Sequence, residues 1–405
     1  MRFVVKAAAA RGNGKARAGV LHAGGSCLQP IETPALLLST RKGLPAFVTP
    51  DLLSALPCPD SRLLHVSPLH FVECPSSRTI SSIGGLRNML GLYEHLFVAV
   101  ARDDIDCLPV TEGTNKLGAS FETPCGRLLV KPTKYVEMIS SLKPNLWASL
   151  ADEVPTWVPK KRNMTSVDRT VRWLDGCIAL DPSGGESILG SIVGGSSLEE
   201  RSRCAKEVAK RNVSGYWIGG FGLGECMEER PVLLAAVMDS VAEEKLRCIS
   251  GLGLPEEVLQ GVASGVDLFD STYIHHLTLG GFALIFNLDT LDRIDKGISD
   301  SQPSNIGSDG TKINLRATIY RKDTAAIMHN CSCFTCQNHT RAYINHLLTV
   351  HEMLAQILLE IHNTHHYLGF FRLIRKAIKH GEFNLFHQKF IEGRHEHFVS
   401  TVPCS

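Results

Sequence analysis

Residues 187–218 read SILGSIVGGSSLEERSRCAKEVAKRNVSGYWI, and the spacing of their apolar residues changes twice along this stretch. Ser187–Val193 is a short apolar run ended by two glycines, which predicts a buried strand. Leu198–Lys210 places its apolar residues at helical intervals, and Gly215–Ile218 predicts a second short strand. A strand, a helix and a strand at this spacing predict a βα unit of a parallel sheet.

The same alternation continues in both directions along the chain. Downstream, we predict helices at Met227–Ala242 and Pro255–Ala263 and strands at Arg247–Leu252 and Val266–Phe269. Upstream, Asn145–Leu150 predicts one more strand. No G-x-G-x-x-G or P-loop pattern accompanies these strands, so a barrel is favoured over a doubly wound nucleotide-binding sheet.

In such barrels, catalytic and ligand-binding residues lie where the strands meet the loops that follow them. The residues at those positions here are Asp152, the pair Gly194–Gly195, Gly219 with Gly220, and Asp270. The strand pattern alone therefore makes them candidate site residues.

Composition narrows the class of protein. The 405 residues include 42 Lys and Arg against 41 Asp and Glu, and this balance excludes a polycationic nucleic-acid coat. No run of about 18 apolar residues occurs, so we expect no integral membrane segment. The 13 cysteines are odd in number and mostly isolated, which indicates reduced thiols and predicts a cytoplasmic protein.

The first residues are rich in Arg and Ala and lack acids, a pattern also found in organelle-targeting segments. We favour a strand–turn–strand interpretation, with strands at Phe3–Val5 and Ala18–Leu21. Residues 291–312 are rich in Ser, Gly, Asp and Asn, which predicts a mobile surface loop. Arg341–Ile361 and Tyr367–Ile378 carry apolar residues at helical intervals and predict long amphipathic helices.

Cys331, Cys333 and Cys336 place three soft metal ligands within one tight turn. Thiolates suit Zn²⁺, which needs four ligands in a tetrahedron. A cluster of three reduced thiols without metal is the alternative, but clustered cysteines in a chain of this kind more often bind metal. The spacing leaves the fourth ligand open among several histidines, namely His339, His346, His351, His362, His365 and His366. Three thiolates and an imidazole fill the shell, so we expect one structural zinc per chain.

The segment Cys331–Asn363 resembles the zinc subdomain of the tRNA-guanine transglycosylase family. Members of that family exchange a guanine in a tRNA anticodon for queuine or its precursor, on a (β/α)8 barrel. The family histidine lies in a motif similar to Ile361-His362-Asn363, so the resemblance implies His362 as the fourth ligand. Further similar segments are Gly14–Leu21, Thr33–Leu38, Gly215–Glu225 and Ser250–Thr272.

The resemblance also implies roles for the strand-end residues. Asp270 stands at the position of the nucleophile that attacks the ribose and forms a covalent ribosyl-enzyme. Asp152 matches the carboxylate that binds the edge of the base, and Gly219 and Gly220 match the turn that contacts it. The implied architecture is a barrel with an N-terminal antiparallel hairpin over residues 1–325, and a zinc-binding helical subdomain over residues 326–405.

Other parts of the family pattern are missing. The general acid of the family lies in an Asp-Ser-Gly-Gly motif, and none occurs at the matching place. The aligned position falls near Val100, and a shift to Asp103 or Asp104 still lacks the glycines. Tyr273–Gly281 lacks the arginines of the family, and Ile192–Gly195 lacks its base-contacting glutamine.

These losses are similar to those of the non-catalytic eukaryotic members, which pair with a catalytic paralogue as a heterodimer. The resemblance then implies a tRNA-binding accessory role in exchange of guanine for queuine at the wobble position of GUN anticodons, in the tRNAs for Asp, Asn, His and Tyr. Asp152 and Asp270 would be remnants, and the apolar surface of Asn338–Lys379 would contact the partner. The alternatives are a self-sufficient transglycosylase that uses Asp270, and a zinc-stapled scaffold.

Two basic clusters, Lys160–Arg162 and Arg372–Lys379, have the charge to contact tRNA phosphates. A solvated surface is the more usual explanation of such clusters.

Overall fold

The computed structural model describes residues 1–8, 14–22, 28–288 and 310–401, and the side chains of residues up to 393. Most of the loop expected at 291–312 lies outside the described residues, as does part of the turn expected between the strands at Phe3–Val5 and Ala18–Leu21. The chain folds as two compact units, and each is described separately. The first contains residues 14–45 and 62–272 with the N-terminal strand, and the second contains residues 46–61 and those from 273 onward. The division expected between residues 325 and 326 stays a prediction.

The strands are short and mostly buried. In chain order they are β1 (Arg2–Ala8), β2 (Arg17–His22), β3 (Ile31–Thr33), β4 (Ala35–Ser39), β5 (Leu63–Val66), β6 (Leu96–Ala99), β7 (Leu108–Val110), β8 (Ala119–Thr123), β9 (Gly126–Val130), β10 (Leu146–Ala148), β11 (Ile188–Ile192), β12 (Gly215–Ile218), β13 (Leu246–Ile249), β14 (Leu268–Asp270), β15 (Phe282–Leu284) and β16 (Lys312–Asn314).

Eight of these strands close into a parallel barrel in the first unit, which confirms the barrel prediction. Their order is β4, β5, β6, β10, β11, β12, β13 and β14, and β14 pairs with β4 through Asp270 and Leu37. Apolar side chains such as Leu63, Val98 and Leu268 fill the interior. Two antiparallel three-stranded sheets accompany the barrel, β1-β2-β3 and β7-β8-β9, and the first of them confirms the N-terminal hairpin.

Helices alternate with the barrel strands in the first unit, and further helices lie within residues 46–61 and from residue 273 onward in the second unit. They are α1 (Pro50–Leu53), α2 (Ser77–Ile83), α3 (Leu86–Leu90), α4 (Pro132–Leu142), α5 (Lys160–Leu180), α6 (Leu198–Ala209), α7 (Arg230–Met238), α8 (Pro255–Ala263), α9 (Thr272–Gly280), α10 (Phe334–Asn338), α11 (Arg341–Thr349), α12 (Leu354–His380) and α13 (Phe383–Thr401), with 3-10 turns at Asp60–Arg62, Pro68–Phe71 and Thr318–Lys322.

The structure agrees with the predicted bounds of β12 and α8 and shortens α7. That helix begins at Arg230 rather than Met227, because Pro231 lacks a backbone N–H and fits only in the first turn. Strand β13 ends before Gly251, whose φ of 80° turns the chain.

In the second unit, the segment expected as one helix from Arg341 is broken. Helix α11 ends at Thr349 and α12 begins at Leu354, with His351 between them in the left-handed region at a φ of 59°. Buried Leu348 and Leu358 belong to the core that the two helices share. Throughout the described ranges, no helix combines the length and hydropathy that crossing a bilayer requires.

Candidate functional site

The three cysteines meet one histidine in the second unit. Cys331 and Cys333 precede α10, Cys336 lies within it, and His362 lies on α12. The Nδ1 atom of His362 is 3.9, 3.5 and 3.3 Å from the sulfurs of Cys331, Cys333 and Cys336. All four ligand atoms lie within 4.8 Å of one another, so the group could hold a metal ion.

These distances fit a tetrahedral zinc site. Bond lengths of ~2.3 Å to sulfur and ~2.0 Å to nitrogen place sulfur and nitrogen about 3.5 Å apart around the ion. The Nε2 atom of His362 donates to the carbonyl oxygen of Leu284 at 2.8 Å, which leaves Nδ1 unprotonated toward the sulfurs. The hydrogen bond between Cys331 and Cys333 lowers the pKa of the Cys331 thiol and raises the pKa of the Cys333 thiol, so all three sulfurs become thiolates together only with a cation between them.

The neighbouring histidines of α12 do not join this group. His365 approaches Ser332, at 3.4 Å, and the buried ring of His366 packs edge-on against Phe286 at 4.4 Å between centroids. Burial lowers the pKa of His366 to about 3. Because a helix repeats every 3.6 residues, positions 365 and 366 project about one turn beyond His362.

In the first unit, Asp152 lies just beyond β10 and is held by two arginines of α5. Arg162 donates to both carboxylate oxygens, at 2.8 and 2.7 Å, and Arg169 donates to one of them at 3.0 Å. Only 1 % of the Asp152 side chain is exposed. Two arginines seven residues apart lie on one helix face, so both reach the same carboxylate.

The glycine turn after β12 is also occupied by protein groups. The buried Arg201 donates to the carbonyl oxygens of Gly219 and Gly220, at 3.2 and 3.0 Å, and its guanidinium lies 4.0 Å from the centre of the Phe221 ring. The backbone N–H of Gly220 donates to Glu153 at 2.6 Å. A Cβ at Gly219 would come within 2.9 Å of the Glu153 carboxyl carbon, so only glycine fits there.

Asp270 ends β14, and its two oxygens accept backbone hydrogen bonds. They come from Gly251 at 2.8 Å and from Thr272 at 3.0 Å. Burial raises the pKa of Asp270 to about 6, and the nearby charge of Asp104 adds to the shift.

Three positions were candidates for the general acid of the family, and the structure gives each of them different surroundings. Val100 is buried in the barrel core, and Asp103 pairs with the ring of His70 at 2.8 Å. Asp104 pairs with Arg102 at 2.6 Å, and it is the carboxylate whose charge reaches Asp270.

A family model described as queuine tRNA-ribosyltransferase matches residues 12–396. The chain belongs to this family. A protein of Xenopus tropicalis with the name queuine tRNA-ribosyltransferase accessory subunit 2 is 33 % identical over 407 residues, which cover 91 % of this chain and 95 % of the relative. Proteins of the same name from Ixodes scapularis and Homo sapiens are each 32 % identical, with 87 % and 86 % of this chain and 91 % and 90 % of the relatives covered.

In this member of the queuine tRNA-ribosyltransferase family, the strand pattern of the sequence located the strand-end residues but not the groups that bind them. Arg102, Arg201 and Glu153 fill the glycine turn, and Arg162 and Arg169 clamp Asp152. One feature of the sequence could have indicated the clamp on Asp152. The two arginines of α5 are seven residues apart, which places both on a single helix face.

Proposed function

We propose that this chain is the non-catalytic subunit of a heterodimeric queuine tRNA-ribosyltransferase. Its catalytic paralogue exchanges guanine for queuine at the wobble position of tRNAs with GUN anticodons, those for Asp, Asn, His and Tyr. The relatives that carry the name accessory subunit 2 support this role. The observation that carries it is the clamp on Asp152, because a carboxylate held by two arginines is not free to bind a base.

The energy of that clamp supports the proposal. A base that displaced either arginine would break a largely buried ion pair, which costs about 2–4 kcal/mol once the partial exposure of the arginines is counted. Arg201 and Glu153 similarly satisfy the carbonyl and N–H groups of the glycine turn. A purine in this place would have to replace existing hydrogen bonds and would gain few new ones.

The cluster of Cys331, Cys333, Cys336 and His362 would hold one structural zinc. The ion supplies no chemistry to the exchange, because four protein ligands leave it no open position. It would tie the loop before α10 to α12, and through His362 to the carbonyl oxygen of Leu284.

We assign the heterodimer contact to the helices of residues 338–379 and the loops beside them. Met353 is 65 % exposed and Val350 48 %, and both lie at the break between α11 and α12. Exposed apolar side chains of this kind fit the dry centre of a protein interface. We place the protein in the cytoplasm, because no disulfide joins any of the described cysteines.

The test compares exchange of labelled guanine in tRNA by this chain alone, by the catalytic paralogue alone and by the pair. We expect exchange by the pair only. Equal activity of the paralogue with and without this chain would refute the accessory role. A pull-down without any tRNA-modifying partner would instead favour the zinc-stapled scaffold.

A self-sufficient transglycosylase is the second candidate, favoured by Asp270 with Asp104 nearby. At neutral pH a carboxyl with a pKa of about 6 is largely ionised and can act as a nucleophile. Incorporation of label by this chain alone that disappears in Asp270→Asn would establish this candidate and exclude the first.

A further inference from the structure

A cavity of about 250 Å³ opens in the first unit beside the loops that follow β10 and β11. Its polar lining consists of Thr156, Lys160, Asn163, Ser196 and Ser197. None of these is Asp152, a residue of the glycine turn, or Asp270. The lining also includes Gly195, so the cavity shares one strand-end residue with the candidate base site and lies beside it.

Two helices begin at this cavity. Lys160 is the first residue of α5, and Ser197 is the N-cap of α6. The N-terminus of a helix carries a partial positive charge and unpaired backbone N–H groups. Helices α5 and α6 are 21 and 12 residues long. Each is long enough to carry the full partial positive charge at its N-terminus.

The first turn of α5 carries further positive charge. It begins Lys160-Lys161-Arg162, contains no acidic residue and has no side-chain cap. Cations at this end of a helix oppose the helix dipole. Arg162 is paired with Asp152, whereas Lys160 meets only Glu199 at 3.3 Å, with more than 70 % of both side chains exposed. The first turn of α6 carries Glu199 and Glu200, which pair with Lys160 and Arg203. The charge left to attract an anion at the entrance is that of Lys161 and of the two helix ends.

Asn163 is an independent sign of a ligand. It is 6 % exposed, and it is the one buried polar side chain of the cavity lining. Its Nδ2 donates to the carbonyl oxygen of Gly194 at 2.7 Å, but its Oδ1 has no hydrogen-bond partner. A buried acceptor of this kind calls for a donor such as a hydroxyl group. The occupant therefore combines an anionic group with a hydroxyl.

Trp157 extends the same surface. It lies between the lining residues Thr156 and Val158, and it is 76 % exposed. Its ring packs against Gly224, where a Cβ would come within 2.7 Å of the indole. An exposed indole fixed along one edge is a stacking surface for a nucleobase.

We propose that this cavity, Trp157 and the first turn of α5 form a subsite for one nucleotide of single-stranded RNA. The phosphate lies at the two helix N-termini beside Lys160 and Lys161. A ribose hydroxyl donates to Oδ1 of Asn163, and the base stacks on Trp157. The identity of the RNA as tRNA rests on the proposed function, whereas the subsite itself does not.

The tryptophans provide the test. The other three, Trp147, Trp173 and Trp217, are each 2 % exposed, so an added RNA can quench mainly Trp157. We expect an anticodon-arm RNA to quench the emission of the full-length chain and not that of Trp157→Phe. Trp157→Ala should weaken binding of this RNA about 5- to 150-fold, the effect of losing one stacked base.

The lysines are tested by the salt dependence of binding. Lys160→Ala should lower the slope of log affinity against log salt by ~0.7, the loss of one phosphate contact in a single strand. Lys210→Ala is the matched control, because Lys210 is equally exposed and caps the opposite end of α6. Its slope should stay that of the unaltered chain.

The subsite would be overturned if two results occurred together. The RNA would leave the tryptophan emission unchanged, and Trp157→Ala would bind the RNA within twofold of the unaltered chain. Equal quenching by a polyphosphate without bases would overturn it as well, since that result requires only an anion site. Exchange by the heterodimer is measured separately. If the pair exchanges guanine but RNA does not quench the tryptophan emission, only the subsite is wrong. If RNA quenches the emission but the pair does not exchange guanine, only the accessory role is wrong.

Discussion

Replacement of Asp152 by Asn tests whether the arginine clamp is a structural element. The substitution keeps the shape of the side chain but removes the charge that compensates Arg162 and Arg169. Asp152 has 1 % of its side chain exposed, and the two arginines have 21 % and 16 %. Loss of a partner in a fully buried pair costs about 3–5 kcal/mol, and the partial exposure of the arginines lowers our expectation to about 2–4 kcal/mol.

The assay is urea denaturation followed by tryptophan emission. Trp147, Trp173 and Trp217 are buried in the barrel unit, so their emission reports its unfolding. The free energy of unfolding follows from linear extrapolation to zero urea.

Asp175→Asn is the matched control. Asp175 also lies on α5 and makes a bidentate pair with Arg211, at 2.6 and 2.9 Å, but 55 % of its side chain is exposed. Pairs of that kind contribute about 0–1 kcal/mol. If Asp152→Asn were no more destabilising than Asp175→Asn, Asp152 would be free in solution, and the argument against base binding would fail.

Three further expectations concern the metal, the buried carboxyl and the interface. His362→Ala should reduce the zinc content, measured by elemental analysis, from one ion per chain to a small fraction. His365→Ala, one turn further along the same helix, should retain the zinc. Equal zinc content in the two variants would exclude His362 as a ligand. The pKa of Asp270 is about 6 in the folded chain, against 3.8 for a carboxyl in the unfolded chain. The folded state therefore binds the extra proton and loses stability as pH rises from about 4 to 6. Urea titrations should therefore show Asp270→Asn gaining stability relative to the unaltered chain over that interval, and a constant difference would contradict the buried environment. Met353→Asp should weaken association with the catalytic paralogue at least about tenfold, as measured by sedimentation. Leu117→Asp, at a similarly exposed position in the other unit, should leave the association unchanged. Equal effects of the two substitutions would show that this surface is not the interface.

The zinc motif shows which ligands the local sequence can predict and which it cannot. The spacing of Cys331, Cys333 and Cys336 was sufficient to expect a metal, because three thiolates in one turn have few other uses. It left six histidines open, and only the resemblance selected His362. The break at His351 then decided the geometry, since a continuous helix from Arg341 would not return His362 to the cysteines.

The amino-acid sequence by itself determined the alternation of strands and helices, the residues at the strand ends and the sulfur ligands, because periodicity and spacing are local properties. The tertiary structure alone decided that β14 pairs with β4, that Arg162 and Arg169 pair with Asp152, and that Arg201 binds the glycine turn. These contacts join residues 10 to more than 200 positions apart. Which charge meets which carboxylate depends on how the closed barrel aligns its strand ends with the helices that follow, and no local pattern encodes that alignment.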